Sequence, residues 1–360
     1  MQEFYDLTVT NVRTEANDAI CVELACAAGD EERFDFTQGQ YLTLSADIEG
    51  EEIRRSYSIC SGVGEPLAVA IKKIEGGAFS QYAHANLQTG AVVKSLPPDG
   101  QFHTPLTANQ AKSYLCIAAG SGITPILSIV KSVLSQEPRS RVTLLYGNRR
   151  SGDIIFREEL LWLKNAHLQN FQWINILSQE KQDAPVLNGR IDNNKGAELN
   201  RYLIDIQGYD EFFLCGPEGM ISEVSRGLRD TGVDESNIHY ELFFASAEDA
   251  RIAIEKHHAR AREYAGLNTQ VSVRSGGREV VFDLSADGEN ILDGAMNSGL
   301  DLPFSCKGGV CATCKAKVIE GEVEMDLNHA LTDEEVKQGY VLTCQAHPIS
   351  KTVVIDFDDI

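Results

Sequence analysis

Short apolar runs broken by turn residues fill the first third of the chain. Residues 41–46, 56–60 and 67–71 carry alternating or β-branched apolar positions, and Gly39, Gly50, Gly62, Gly76-Gly77 and Pro97-Pro98-Asp99-Gly100 punctuate them. Many short strands with turns between them predict a small antiparallel β-barrel over residues 1–105. From 106 to 244 the pattern changes. Runs at 114–119, 141–147, 171–177 and 211–215 are apolar enough to be buried on both faces, and 124–135, 156–166 and 219–231 repeat apolar residues at helical spacing. Strands alternating with helices predict a doubly wound parallel α/β domain that binds its ligand at the carboxyl ends of the strands. Residues 245–268 are rich in alanine and charge and poor in large apolar groups, so a partly helical linker is expected there. The remainder, 269–360, opens on strand-like 271–275 and 279–282 and closes on 352–357. Before its last cysteine, Thr332 and Glu335 form a helix capping pattern, with Gly339 at the stop.

At 360 residues the chain is long enough for two or three domains. No run approaches the roughly 20 apolar residues that a membrane helix needs. The start, Met1-Gln2-Glu3-Phe4, has no basic and apolar leader, so a cytoplasmic location is expected. A net charge of −21 argues against nucleic acid, because binding phosphates takes cations. Residues 269–360 hold 7 Lys/Arg and 16 Asp/Glu, a net of −9, which suits docking on a basic partner as well as it suits solubility.

Cysteine placement is the first chemical clue. Cys21, Cys26, Cys60, Cys116 and Cys215 are scattered, whereas Cys306, Cys311, Cys314 and Cys344 gather near the end with the spacing C-x4-C-x2-C-x29-C. That is the plant-type spacing for a [2Fe-2S] cluster, three thiolates from one tight loop and a fourth from a distance. Gly308 and Gly309 would let the loop take backbone angles closed to other residues, and Ala312 and Thr313 are small enough not to block it. A structural zinc site is the competing use of four cysteines, but it normally pairs two short hooks.

Two further patterns point to phosphates. Gly120-Ser121-Gly122-Ile123-Thr124-Pro125 follows an apolar run and opens a helix, as a turn that cradles a pyrophosphate does, although Pro125 stands where the third glycine of the dinucleotide fingerprint would be. Arg149, near the tip of the next strand, tilts the choice to the 2′-phosphate of NADPH, with NADH the alternative. Arg55-Ser56-Tyr57-Ser58 sets a cation two residues before an aromatic plate, and Gly77-Ala78-Phe79-Ser80 offers amides and a hydroxyl. Taken alone, that pair is better explained as an ordinary strand and turn.

In this order, the R-x-Y-S, G-x-x-S, G-x-G-x-x-P and C-G-P motifs resemble the ferredoxin–NADP reductase superfamily over residues 1–244. The resemblance implies that Arg55, Gly77, Ala78, Phe79 and Ser80 meet the phosphates of a flavin, FAD rather than FMN. It implies that Tyr57 packs on the isoalloxazine with Ser58 near its N5, and that Ala70, Ile71 and Lys72 run alongside. Gly120, Ser121, Gly122 and Thr124 would meet the nicotinamide nucleotide. Cys215-Gly216-Pro217 would set a thiol beside the nicotinamide, with Glu241 and Phe243 closing the far side; a plain core role is the other reading of Cys215. Ser178-Gln179 stands where several NADPH-using relatives have Ser-Arg, which counts against NADPH. The tail resembles a plant-type ferredoxin, a β-grasp domain.

Nearly the whole chain is similar to the reductase components of bacterial phenylacetyl-CoA epoxygenases, in segments 53–60, 118–125, 146–149, 306–314 and 339–346. The likeness implies an NADPH-dependent reductase passing electrons through FAD and a [2Fe-2S] cluster to an oxygenase component, a di-iron phenylacetyl-CoA epoxygenase. Reductases of Rieske-type oxygenases and desaturases share most of the motifs. A zinc-held adaptor without redox activity is the rival of another class. A flavin accepts an electron pair and releases single electrons, so hydride transfer needs no acid–base residue of its own. The pair His257-His258 is expected to be solvated.

Overall fold

A computed structural model of the chain describes residues 3–243 and 247–359. These form two compact units, Phe4–Glu241 and Leu242–Ile360, the second of which also takes in Glu3.

The first unit opens with six antiparallel strands: β1 (Tyr5–Glu15), β2 (Ala19–Ala25), β3 (Tyr41–Ile48), β4 (Glu51–Ser58), β5 (Ala68–Lys72) and β6 (Val92–Ser95), with helix α1 (Ala78–Asn86) between the last two. Their order is β4-β3-β6-β1-β2-β5, and a bridge between Ile59 and Val69 joins the two ends into a barrel. Leu7, Val22, Leu42, Leu44, Ile59, Val69 and Ile71 fill it. Alternation does the work: successive side chains on a strand face opposite sides, so the apolar half of each strand lands inside.

A parallel sheet follows. Its strands are β7 (Ser113–Ala119), β8 (Arg141–Asn148), β9 (Phe171–Leu177), β10 (Glu211–Cys215) and β11 (Ile238–Glu241), in the order β11-β10-β7-β8-β9. The helices are α2 (Ile123–Gln136), α3 (Arg157–Ala166), α4 (Asn193–Tyr202) and α5 (Glu218–Asp230). The strand order reverses between β7 and β10, which opens a crevice at their carboxyl ends. Pro125 is tolerated because it lies in the first turn of α2, where an N–H has no intrahelical partner.

Helix α2 also fastens the barrel. Ser128 and Ser132, one turn apart, take N–H groups from barrel loops, Gly39 at 3.4 Å and Val63 at 3.0 Å. Lys131 beside them bridges Glu65 and Glu159, each at 2.5 Å. Barrel and sheet are therefore held in one register.

The second unit begins with helix α6 (Ala247–Glu263) and continues through β12 (Asn268–Ser275), β13 (Arg278–Ser285), α7 (Ile291–Asn297), β14 (Lys315–Glu320), β15 (Val323–Met325), α8 (Asp333–Lys337), β16 (Tyr340–Leu342), β17 (Ala346–Pro348) and β18 (Thr352–Asp356). The sheet order is β13-β12-β18-β14-β16, with β12 and β18 parallel and the other pairs antiparallel. That is the mixed β-grasp sheet, and α7 packs Ile291, Leu292 and Ala295 into its core. Thr332 and Glu335 make the reciprocal capping box on α8, and Gly339 follows its end at φ +91°.

The segment expected as a linker holds helix α6, apart from residues 245 and 246, which lie outside the described residues. Its Arg260 is buried. Sequence reading missed this because the helix is anchored by charge instead of by an apolar stripe. Its His257 and His258 are exposed, with rings 5.9 Å apart.

Candidate functional site

Three clusters of side chains sit where the motifs led. The first is on the barrel. Tyr57, near the end of β4, packs its ring 5.6 Å from that of Phe79 in the first turn of α1. The strand motif and the Gly77–Ser80 turn are thus neighbours. Burial pushes the Tyr57 phenol well above its ordinary range, with the Arg55 charge opposing. Arg55 is exposed, and its Nη1 donates to the Arg54 carbonyl at 2.7 Å, so the guanidinium is tethered yet open to an anion. The Ser80 hydroxyl is engaged inside its own turn: it accepts from Ile74 N–H and donates to Gly77 O, both at 3.1 Å. What the turn can offer a phosphate is therefore the backbone N–H groups at the start of α1, where no side chain caps the helix. Gly77 is needed for room, since a Cβ there would lie 2.8 Å from Ser80 Oγ. Ala70, Ile71 and Lys72 end β5; Ile71 points into the core while its carbonyl accepts His84 Nε2 at 2.9 Å, and Lys72 pairs with Asp18 at 3.4 Å.

The second cluster lies at the crevice of the parallel sheet. Gly120 has φ +56°, open to glycine at little cost. Gly122 serves a different need: a Cβ there would sit 2.2 Å from the carbonyl oxygen of Cys215. The Gly-Ser-Gly turn and the Cys215-Gly216-Pro217 loop therefore touch backbone to backbone. Gly216 is less tight, its Cβ position being 2.7 Å from Met220 Cε, the end of a flexible side chain, and 3.1 Å from Ala119 Cβ. Thr124 Oγ1 donates to Ser121 O at 3.1 Å and Tyr146 OH to Gly120 O at 2.8 Å, which fixes the turn from both sides. No side chain caps α2, and its first N–H, that of Ile123, turns back to Gly120 O and Ser121 O. Burial pushes the Cys215 thiol well up, with the Glu241 charge adding to it, so the group is a neutral thiol at neutral pH. At the tip of β8, Arg149 is exposed, and its carbonyl accepts Gln179 N–H at 2.8 Å. Ser178 N–H donates to Asn148 O at 2.9 Å, so Ser178 and Arg149 flank one strand end.

Between these clusters runs a contact that sequence reading did not anticipate. Ser58 Oγ donates to Glu241 Oε2 at 3.0 Å, linking barrel and sheet. Burial pushes the Glu241 carboxyl up to about 8, and the Ser58 hydrogen bond only partly offsets this. Both residues were individually legible in motifs, but their meeting depends on the docking that α2 provides.

The third cluster is the cysteine loop of the second unit. Cys314 and Cys344 are buried, and Cys306 and Cys311 half-buried. The thiols fall into two pairs within hydrogen-bonding reach, Cys306 with Cys311 and Cys314 with Cys344. Among the described residues no three His, Cys, Asp or Glu groups converge as on a single metal ion. Two and two matches the donor arrangement for the two irons of a [2Fe-2S] cluster. Donors point at the sulfurs: Gly308 N–H to Cys306 at 3.3 Å, Thr313 Oγ1 to Cys311 at 3.2 Å, Gln345 Nε2 to Cys344 at 3.8 Å. The Cys311 thiol and nearby amides lower the Cys306 thiol to about 6 against burial. The left-handed positions of the loop are Lys307 at φ +51°, Gly309 at +75° and Ala312 at +53°. This corrects the expectation for Gly308, which contributes an N–H; two non-glycine residues carry the strain because the loop must curl around the sulfurs.

Comparison with known proteins supplies the names. The family models for an oxidoreductase FAD-binding domain, an oxidoreductase NAD-binding domain and a 2Fe-2S iron–sulfur cluster binding domain match residues 6–104, 116–226 and 273–348. Over 99% of both chains, the sequence is 43% identical to one component of the 1,2-phenylacetyl-CoA epoxidase of Escherichia coli (strain K12). The chain belongs to this family of oxygenase reductases. A second relative in it is the ferredoxin reductase component of 3-ketosteroid-9-alpha-monooxygenase from Rhodococcus rhodochrous, 30% identical over 98% of this chain and 96% of the relative. In fold this chain is similar to phthalate dioxygenase reductase, with a TM-score of 0.57, 22% identity and 98% coverage of both chains. An oxygenase reductase of this kind is an oxidoreductase using a pyridine nucleotide, FAD and a [2Fe-2S] cluster. The zinc-held adaptor is set aside. No helix among the described residues is long and apolar enough to cross a membrane.

Proposed function

We propose that this reductase draws electrons from NADPH and delivers them, through FAD and the [2Fe-2S] cluster, to a di-iron phenylacetyl-CoA epoxygenase in the cytoplasm. The observation that carries the reading is 43% identity sustained over 99% of both chains with the Escherichia coli epoxidase component. When bound, FAD takes up an electron pair from the nicotinamide and the cluster passes electrons on one at a time.

The chain's own residues divide the work by position. Residues 1–105 hold FAD: Arg55 and the Gly77–Ser80 turn, through the N–H groups of Ala78, Phe79 and Ser80, meet its phosphates, and Tyr57, Ser58, Ala70, Ile71 and Lys72 line its ring. Residues 106–244 hold the nucleotide, with its pyrophosphate on Gly120, Ser121, Gly122 and Thr124, its 2′-phosphate on Arg149 beside Ser178, and its nicotinamide against Cys215, Gly216 and Pro217. Ser58 and a protonated Glu241 form a neutral hydrogen-bonded pair, which keeps an uncompensated negative charge away from the reacting rings. Residues 269–360 hold the cluster on Cys306, Cys311, Cys314 and Cys344, and their excess of 16 acidic over 7 basic residues favours a basic docking face on the oxygenase.

The test is reconstitution with NADPH, oxygen, phenylacetyl-CoA and the epoxygenase complex from the same source. Epoxide formation that slows as salt rises is the expected result. Normal cluster reduction with no faster reoxidation on adding the complex would reject the partner and leave another oxygenase as the acceptor.

A further inference from the structure

Helix α6 precedes the region matched by the 2Fe-2S family, 273–348, yet a buried cation fastens it there. Arg260 is 1% exposed. Its Nε donates to Ala286 O at 2.9 Å and its Nη1 to Asp326 Oδ1 at 2.7 Å, with Glu324 Oε2 at 3.4 Å. One turn earlier Lys256 Nζ donates to Met325 O at 2.9 Å. The other carboxylate oxygen of Asp326 lies 3.2 Å from His347 Nε2.

From Asp326 the contacts lead directly to the cysteines. Asp326 N–H donates to Gln345 O at 2.9 Å, and the Gln345 amide reaches Cys344 Sγ at 3.8 Å and Lys307 O at 2.9 Å. The neighbouring Leu327 carbonyl packs against Gly309, 3.1 Å from where a Cβ would lie, and His329 N–H donates to Gly309 O at 3.0 Å. Residues 326–329 are thus a wall of the cysteine loop, and Arg260 holds that wall from behind.

Stability alone is a poor reason for such an arrangement. Arg260 Nη2 and His347 Nδ1 are buried without a hydrogen-bond partner among the described residues. A partly satisfied buried ion network is commonly less stable than an apolar replacement of equal volume. A fixed charge next to a redox centre has a second effect, because reduction adds an electron whose energy depends on nearby charges in a medium of low dielectric constant.

We propose that Arg260 is a positioning residue for the iron–sulfur centre: with Asp326 it fixes the wall of the cysteine loop, and its charge helps set the centre's reduction potential. This rests on the assignment of the four cysteines to the cluster. Arg260→Gln removes the cation and leaves Asp326 with His347 alone, so it should disfavour the reduced cluster; Asp326→Asn removes a carboxylate and leaves Arg260 with Glu324 alone, so it should favour it. Arg260→Lys and the double variant Arg260→Gln/Asp326→Asn should stay near the wild type.

The experiment is a redox titration of the cluster in the full chain for all five proteins, with iron and sulfide analysis of each. Opposite shifts of about three- to tenfold in the one-electron equilibrium, up to about 59 mV, are expected. Loss of the cluster in Arg260→Gln also supports the proposal if both Arg260→Lys and the double variant retain it and Asp326→Asn still shifts upward. Shifts of the same sign, no shift, or cluster loss in every variant would overturn it. A wild type without a [2Fe-2S] cluster would instead sink the cysteine assignment.

Discussion

Ser58 and Glu241, 183 positions apart, share a 3.0 Å hydrogen bond where the barrel meets the parallel sheet. The bond joins a residue of the flavin motif to one at the end of the last strand of the nucleotide sheet. Because both lie in one compact unit, the pair is built by the docking of α2 onto the barrel.

The pair carries a pH signature. Burial raises Glu241 from 4.5 to about 8. An unfolded chain would release that proton near 4.5 and the folded one near 8, so the stabilisation is whole below 4.5 and lost as the pH climbs through 8. Glu241→Gln mimics the neutral form at every pH. Its melting temperature relative to wild type should therefore rise between pH 5 and pH 8.5, and a constant difference would show that Glu241 ionises normally.

Gly122→Ala tests the contact between the two nucleotide loops. A Cβ 2.2 Å from the Cys215 carbonyl must push the turn away from the loop, because neither partner is a flexible side chain. The variant should keep its flavin and lose most of its nucleotide-driven flavin reduction. Gly120→Ala meets nothing within 4 Å, and its φ of +56° costs only about 1–2 kcal/mol. A smaller loss is expected there. Equal rates in Gly122→Ala and wild type would contradict the account of the loop.

Arg149→Ala should weaken NADPH far more than NADH, by about 1–3 kcal/mol, for the lost charge-assisted contacts to a 2′-phosphate. Dissociation constants for both nucleotides provide the check. Equal weakening, or none, would move the 2′-phosphate site elsewhere or assign the enzyme to NADH.

Motifs made the candidate sites legible where chemistry demands fixed spacing within one segment. The cysteine loop, the Gly120–Thr124 turn and the strand carrying Arg55 and Tyr57 are of this kind, and hydrophobic alternation exposed the sheets around them. Contacts between distant segments left no local trace. Arg260 lies in a helix whose neighbours are alanine and charge, so its burial could be known only from the Ala286 and Asp326 groups that receive it. Ser80 illustrates the opposite limit: the motif located the residue, but only the turn geometry revealed that its hydroxyl is consumed by Ile74 and Gly77. Backbone strain at Lys307 and Ala312 was hidden for a related reason, since residue type points to glycine first.

An anaerobic titration with NADPH, followed by absorbance and by electron paramagnetic resonance, tests the central claim most directly. Wild type should take up three electrons per chain, two bleaching the flavin and one giving a cluster signal, while Cys314→Ser should take up two and lose only that signal. Two electrons in the wild type with no cluster signal, or loss of flavin along with the cluster in Cys314→Ser, would contradict the account.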